Sequence, residues 1–162
     1  MAVKNPPREM MLDGAQMSIA STMAAIAGFL KEKGIPLKEF INYFGEQFEG
    51  SWMDLEGRGV DEVMDHFLDL EVLPMGAEVV SKQMTPERAE VKLTSLPPRK
   101  VLEKFGTSPK ELLKGFGVTE RQFASIYDSF IPAAKAIGLK FSHHGGDGTE
   151  TLVLEKLPVR KA

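Results

Sequence analysis

The chain closes on the segment Leu139-Lys140-Phe141-Ser142-His143-His144-Gly145-Gly146-Asp147-Gly148, which is followed by an alternating segment from Glu150 to Leu157. Apolar and polar residues alternate on both sides of the glycines, and a period of two is typical of half-buried strands. We predict a β-hairpin here, with the stretch from His143 to Gly148 as its exposed turn. Gly145, Gly146 and Gly148 are expected to supply the positive φ angles of that turn.

A second hairpin is predicted earlier in the chain. Ala77 to Met84 and Ala89 to Ser95 are separated by a turn with a central proline, Thr85-Pro86-Glu87-Arg88. In the second of these strands the apolar residues Ala89, Val91 and Leu93 alternate with polar ones, which indicates a sheet with one face exposed to solvent. The two hairpins can join in one antiparallel sheet.

Four stretches of the chain show helical patterns. Asp13 to Lys33 is rich in small residues, which indicates a buried or interface helix, and Gly34 is predicted to follow the end of that helix. Leu37 to Phe48 carries an apolar stripe. Val60 to Leu70 separates apolar from acidic positions, with Leu70 on the apolar side. Thr119-Glu120-Arg121-Gln122 is a capping box that opens a helix running to Ile137, with a kink at Pro132.

These elements predict an α+β fold in which N-terminal helices precede two β-hairpins, joined in one antiparallel sheet that helices cover. A chain of 162 residues fits a single domain. We assign residues 1–12 to an N-terminal arm, residues 13–157 to one α+β domain, and residues 158–162 to a short basic tail.

Composition excludes several classes of function. The formal charge is -3 and basic residues are interspersed with acidic ones, so we expect no nucleic-acid binding. The chain has no cysteine, which excludes disulfides, thiolate nucleophiles and thiolate metal sites. The most apolar window, residues 19–30, is too short to cross a bilayer core of roughly 30 Å, and the N-terminus lacks a signal-peptide pattern. We expect a cytoplasmic protein without a transmembrane segment.

One candidate site is metal-binding. His143, His144, Asp147 and Glu150 place two imidazoles and two carboxylates within one hairpin, and such groups can bind a divalent ion. Adjacent strand residues point to opposite faces, so both histidines reach one ion if the turn twists. The metal site is the alternative interpretation of a segment that is otherwise an ordinary exposed turn.

The other candidate site is apolar. The chain has nine methionines and ten phenylalanines, which suits a hydrophobic pocket or a dimer face as well as ordinary core packing. The apolar face of the late helix supplies the predicted lining, in which Tyr127 gives the polar contact that orients a ligand: Phe123, Ile126, Tyr127 and Phe130.

The element order and the closing run from Ile131-Pro132-Ala133 to Gly138-Leu139-Lys140-Phe141, followed by Gly146-Asp147-Gly148, support a resemblance. The chain resembles the 4-vinyl reductase or hydrocarbon-binding domains, which are related to transport-particle (TRAPP) subunits and to haem nitric-oxide sensor domains. The resemblance implies a dimeric α+β domain with an apolar cavity for a small hydrophobic molecule. This chain departs from the family pattern in having no cysteine near the last hairpin and no histidine on the late helix.

Three functions from different classes follow. The leading hypothesis is a homodimeric sensor or carrier domain for a small apolar molecule. The alternative is a small metal-dependent enzyme that uses the hairpin with His143 and His144 and a metal-activated water. The third is a structural subunit whose first helix recruits a partner. No pattern in the sequence identifies a cofactor or a catalytic residue.

Overall fold

The computed structural model describes residues 7–146 and 148–157 of the chain. They form an α+β fold, as predicted. The helices are α1 (Arg8–Glu32), α2 (Leu37–Gln47), α3 (Val60–Phe67), α4 (Arg99–Lys104), α5 (Pro109–Gly115), α6 (Glu120–Ala124) and α7 (Ile131–Ala136). The strands are β1 (Val79–Met84), β2 (Arg88–Thr94), β3 (Leu139–Gly146) and β4 (Thr149–Lys156).

The two predicted hairpins join in one antiparallel sheet, in the order β1-β2-β4-β3. Because side chains alternate along a strand, one face collects the apolar residues. Ala89, Val91 and Leu93 of β2 are fully buried, and they lie opposite Leu154, Leu152 and Glu150 of β4. Helices cover this inner face: α3 packs on β2 and β4, while α6 and α7 pack on β3.

An aromatic cluster joins the helices to the sheet. The ring of Phe67 on α3 lies 5.2 Å from Trp52, 4.6 Å from Phe130 and 5.7 Å from Phe141 of β3, measured between centroids. Such tilted and edge-on contacts are favourable for aromatic pairs. Trp52 belongs to a 3-10 helix, Glu49–Leu55, and its indole nitrogen donates to Glu71 at 3.1 Å. This cluster is the centre of the core.

The first helix begins earlier than predicted. α1 starts at Arg8, so residues 8–12 are helical and the predicted arm over residues 1–12 was wrong there. Pro7 precedes the helix and fixes a backbone angle suited to a helix start, a signal that the sequence contained. Gly34 ends the turn after α1 with φ of +69°, as its position predicted. No helix in the described ranges is long and apolar enough to span a membrane.

The third helix changes its winding. After Phe67 the chain continues as a wider π turn, Leu68–Val72. A π turn takes more residues than an α turn, so it rotates the following side chains relative to the predicted pattern. Leu70, placed on the apolar side by the sequence pattern, is consequently 63% exposed. Val72 is fully buried instead.

The late helix is three segments and not one. The capping box at Thr119 is confirmed and opens α6, but a 3-10 segment, Ser125–Phe130, separates α6 from α7. Pro132 has no N–H to donate to the carbonyl of Asp128, so a regular α-helix cannot pass through this point. Ile131, the first residue of α7, is 40% exposed. The predicted tail over residues 158–162 lies outside the described residues.

Candidate functional site

The closing hairpin is longer than predicted. β3 continues through Gly146, so His143 and His144 lie in a strand and not in a turn. Gly145 and Gly146 pair with Glu150 and Thr149 in the regular ladder. Of the three glycines expected to adopt positive φ, Gly148 does so, with φ of +77°. Strand pairing satisfies the backbone groups of the other two, which removes the need for a wide turn.

The ladder separates the two histidines. His143 lies opposite Leu152 and points to the inner face, whereas His144 lies opposite Thr151 and is exposed. Glu150 occupies the inner face of β4, in line with Leu152 and Leu154, and is only 4% exposed. A carboxylate therefore lies on the face of the sheet that otherwise holds the core.

Gly145 makes room for that carboxylate. Gly145 is the cross-strand partner of Glu150, and a Cβ atom added to Gly145 would overlap the Glu150 carboxylate. It would also lie 2.6 Å from the carbonyl oxygen of Thr149, which is backbone and cannot swing away. The absence of a side chain at Gly145 lets Glu150 fold across the strand towards His143.

His143 lies between two carboxylates. Its Nδ1 is 2.5 Å from Oε1 of Glu150, and its Nε2 is 3.2 Å from Oδ1 of Asp128 on the 3-10 segment. Burial by itself lowers the pKa of His143, but the hydrogen bonds and charges of Glu150 and Asp128 outweigh it and raise that pKa above its ordinary value. In the protonated ring both nitrogens are donors, so the imidazolium can bond both carboxylates at once.

Tyr127 completes the cluster. Its side chain is 1% exposed, and its ring lies 5.5 Å from the His143 ring between centroids. Within the described residues its hydroxyl has no hydrogen-bonding partner. Burial, with the nearby charge of Glu150, raises the pKa of Tyr127, so the phenol stays neutral and keeps its proton to donate.

The cluster borders a cleft of about 650 Å³. This volume lies in the range of small-molecule sites, roughly 300–1,000 Å³. The 3-10 segment and α6 form one side, the hairpin forms the other, and the loop after β2 closes one end. The lining residues are Ser95, Leu96, Glu120, Arg121, Ala124, Ser125, Tyr127, Asp128, His143, His144, Gly145, Gly146, Gly148 and Glu150.

The residues predicted to bind an apolar ligand are distributed differently. Tyr127 lines the large cleft, whereas Phe130 packs into the aromatic cluster. Phe123 and Ile126 border two apolar cavities of about 20 Å³ and 10 Å³ between the helices. A cavity of that size has room for about one water molecule.

The predicted metal ligands are brought together in part. His143 and Glu150 are in contact, His144 lies on the other face of the strand, and Asp147 is outside the described residues. Within the described ranges no three His, Asp or Glu side chains are placed to share a metal ion. Sequence reasoning missed Asp128, because its contact with His143 spans 15 residues and leaves no local pattern.

No protein-family model, curated protein or solved structure matches this chain. The resemblance to hydrocarbon-binding domains therefore stays a prediction.

The fit between Gly145 and Glu150 can be tested by paired substitutions. Gly145→Ala should lower the free energy of unfolding by about 1–3 kcal/mol, since the added methyl meets backbone and a buried carboxylate. Gly146→Ala is the matched control, since a Cβ there meets nothing within 4 Å. Urea denaturation measures the free energy of unfolding of both variants. Equal values for the two variants would contradict the described packing.

The raised pKa of His143 predicts how stability depends on pH. A group whose pKa is higher in the folded than in the unfolded protein stabilises below the unfolded value, about 6.5, and loses that contribution as pH rises through the folded value. The free energy of unfolding should therefore be higher in the wild type than in His143→Gln at low pH. The difference between the two proteins should shrink as pH rises. His144→Gln is the matched control, because His144 is the exposed neighbour of His143 on the same strand. A difference that grows with pH would be inconsistent with a cationic His143.

Proposed function

We propose that this protein is a binding domain for a small molecule that occupies the cleft between the 3-10 segment Ser125–Phe130 and the β3–β4 hairpin. The observation that carries the proposal is the buried hydroxyl of Tyr127, which has no partner in the described part of the chain. Buried polar groups in native proteins are nearly always hydrogen-bonded, and leaving one unpaired costs about 1–3 kcal/mol. Tyr127 lines the cleft, and a bound molecule that reaches its hydroxyl would supply the missing partner.

The charges around the cleft indicate the chemistry of the ligand. Among the described residues, three carboxylates line it, those of Glu120, Asp128 and Glu150, against the fixed positive charge of Arg121. His143 adds a positive charge when it is protonated, but both its nitrogens already face carboxylates. The cleft therefore favours a neutral or cationic molecule with hydrogen-bond donors for the carboxylates and an acceptor for Tyr127.

A small-molecule-binding domain was also predicted from the sequence, but the ligand is placed here in a different pocket. Tyr127 retains the orienting role expected of it. The cavities beside Phe123 and Ile126 are too small for an apolar ligand, so we place the ligand on the polar side of Tyr127. The ligand proposed here is accordingly polar or amphipathic, whereas the sequence indicated an apolar one.

We also propose that the protein is a homodimer. α1 carries several large apolar side chains on its outer surface, among them Met11 at 56%, Leu12 at 53% and Phe29 at 56% exposure. Large apolar side chains exposed along one helix are typical of a surface that binds a partner. A second copy that covers α1 would remove it from water.

Tyr127→Phe tests the ligand site. The change removes the hydroxyl and keeps the ring, so the unfolding free energy should stay equal or rise by about 1 kcal/mol while ligand binding weakens. Tyr43→Phe, at the other tyrosine, is the control, because Tyr43 is 63% exposed. Native mass spectrometry of protein purified from its own host should show extra mass on the wild type and on Tyr43→Phe, and less on Tyr127→Phe.

Two outcomes would overturn this proposal. Equal extra mass on Tyr127→Phe and the wild type would place the ligand away from the cleft. Spectra without extra mass on any of the three proteins would leave the Tyr127 hydroxyl to be satisfied by water.

A further inference from the structure

The outward face of α1 follows a heptad spacing along the whole helix. Steps of three and four residues connect its members, and this spacing keeps one seam of a helix directed at a partner helix. All members are exposed except Ala25, which is half-buried. They are Arg8, Met11, Ala15, Ser18, Thr22, Ala25, Phe29 and Glu32, and we call them the α1 seam.

The α1 seam is uncharged between its two ends. Arg8 begins it and Glu32 ends it, and the residues between are apolar or carry a small hydroxyl. The opposite side of the helix is packed into the protein through buried residues such as Ala20, Ala24 and Ala27. A solvent-facing helix surface normally carries charged residues, so the composition of this seam indicates burial against a further surface.

The seam is symmetric about Ala20. Its members form pairs that lie at equal distances along the chain on either side of that residue. When two copies of α1 pack antiparallel with a two-fold axis at Ala20, each pair meets across the interface. Met11 then lies opposite Phe29, Ala15 opposite Ala25, and Ser18 opposite Thr22.

The sizes of these residues suit that arrangement. Small side chains at the middle of the seam let the two backbones approach closely, as in other tightly packed helix pairs. At each end, the flexible side chain of Met11 meets the ring of Phe29, and contacts between sulfur and aromatic rings are favourable. A two-fold interface must be complementary to itself, and this face meets that requirement.

Charge selects the antiparallel orientation. The same symmetry places Arg8 of one copy opposite Glu32 of the other, so opposite charges close both ends of the seam. A parallel pair in register would instead bring Arg8 against Arg8 and Glu32 against Glu32. Antiparallel helix dipoles add to this preference. In the part of the chain that the structure describes, neither Arg8 nor Glu32 forms an ion pair.

We infer that the partner of the α1 seam is a second copy of this chain, packed antiparallel through its own α1 with the two-fold axis beside Ala20. This inference rests on the proposed homodimer and is independent of the ligand in the cleft. It assigns the interface, its orientation and its register.

Engineered cysteines test orientation and register, and the native chain contains no cysteine to interfere. A mixture of Ala15→Cys and Ala25→Cys proteins should form a disulfide-linked dimer under mild oxidation, because these positions meet in the antiparallel pair. Either variant alone should stay unlinked, since ten helical residues, or about 15 Å, separate like positions along the axis, too far for a disulfide. Lys38→Cys, exposed on α2, is the control for random collision.

Exchanging the charges of Arg8 and Glu32 gives a second test of the orientation. Both residues are exposed, so the variants should fold normally. Arg8→Glu and Glu32→Arg should each raise the dimer dissociation constant a few-fold at low salt, because each change places like charges opposite one another at both ends of the seam. The combined variant should return to within about twofold of the wild type, since both ends then carry opposite charges again. Analytical ultracentrifugation measures these constants.

The possible failures are distinguishable. A wild-type chain that sediments as a monomer at high micromolar concentration would overturn both the proposed homodimer and the α1 pairing. A dimer in which Ala15→Cys links to itself, or in which the cysteine mixture does not link, would overturn the antiparallel pairing and leave the homodimer standing. Neither result changes the expected loss of ligand mass in Tyr127→Phe.

Discussion

The register of the β3–β4 hairpin is the constraint on which the rest of the site depends. Because side chains alternate along a strand, a slip of one residue would turn Leu152 and Leu154 outwards and bring the polar side chains of Thr151 and Glu155 towards the core. The register that buries those leucines necessarily buries Glu150 as well. Core packing thus forces a carboxylate into the interior, and the surrounding residues are arranged to accommodate it.

A buried carboxylate is costly unless charge and hydrogen bonds compensate for it. His143, on the neighbouring strand, supplies a hydrogen bond and, when it is protonated, a positive charge. Gly145 leaves the space that the contact between His143 and Glu150 needs. The second ring nitrogen of His143 faces Asp128, so the same imidazole connects the sheet to the helical layer. The cleft opens beside this connection, where the 3-10 segment that carries Tyr127 and Asp128 passes the hairpin.

Local patterns predicted much of the fold. The alternation in β2, the capping box at Thr119 and the end of α1 at Gly34 depend on neighbouring residues, and the structure confirms them. Errors occurred where distant contacts decide the local conformation. Gly145 and Gly146, predicted in a turn, pair with β4 as part of strand β3. The candidate site was predictable in part: the hairpin was recognised as its location, but Asp128 and the separate faces of the two histidines depend on tertiary packing.

At the wall of the cleft, the charges and hydrogen bonds of Glu150 and Asp128 raise the pKa of His143 and so favour its protonated form. The most direct test is an NMR titration of the His143 ring in the wild type and in Glu150→Gln. We predict a pKa above the ordinary histidine value of about 6.5 in the wild type and a lower one in the variant. A wild-type pKa at or below the ordinary value, unchanged by Glu150→Gln, would contradict the claim.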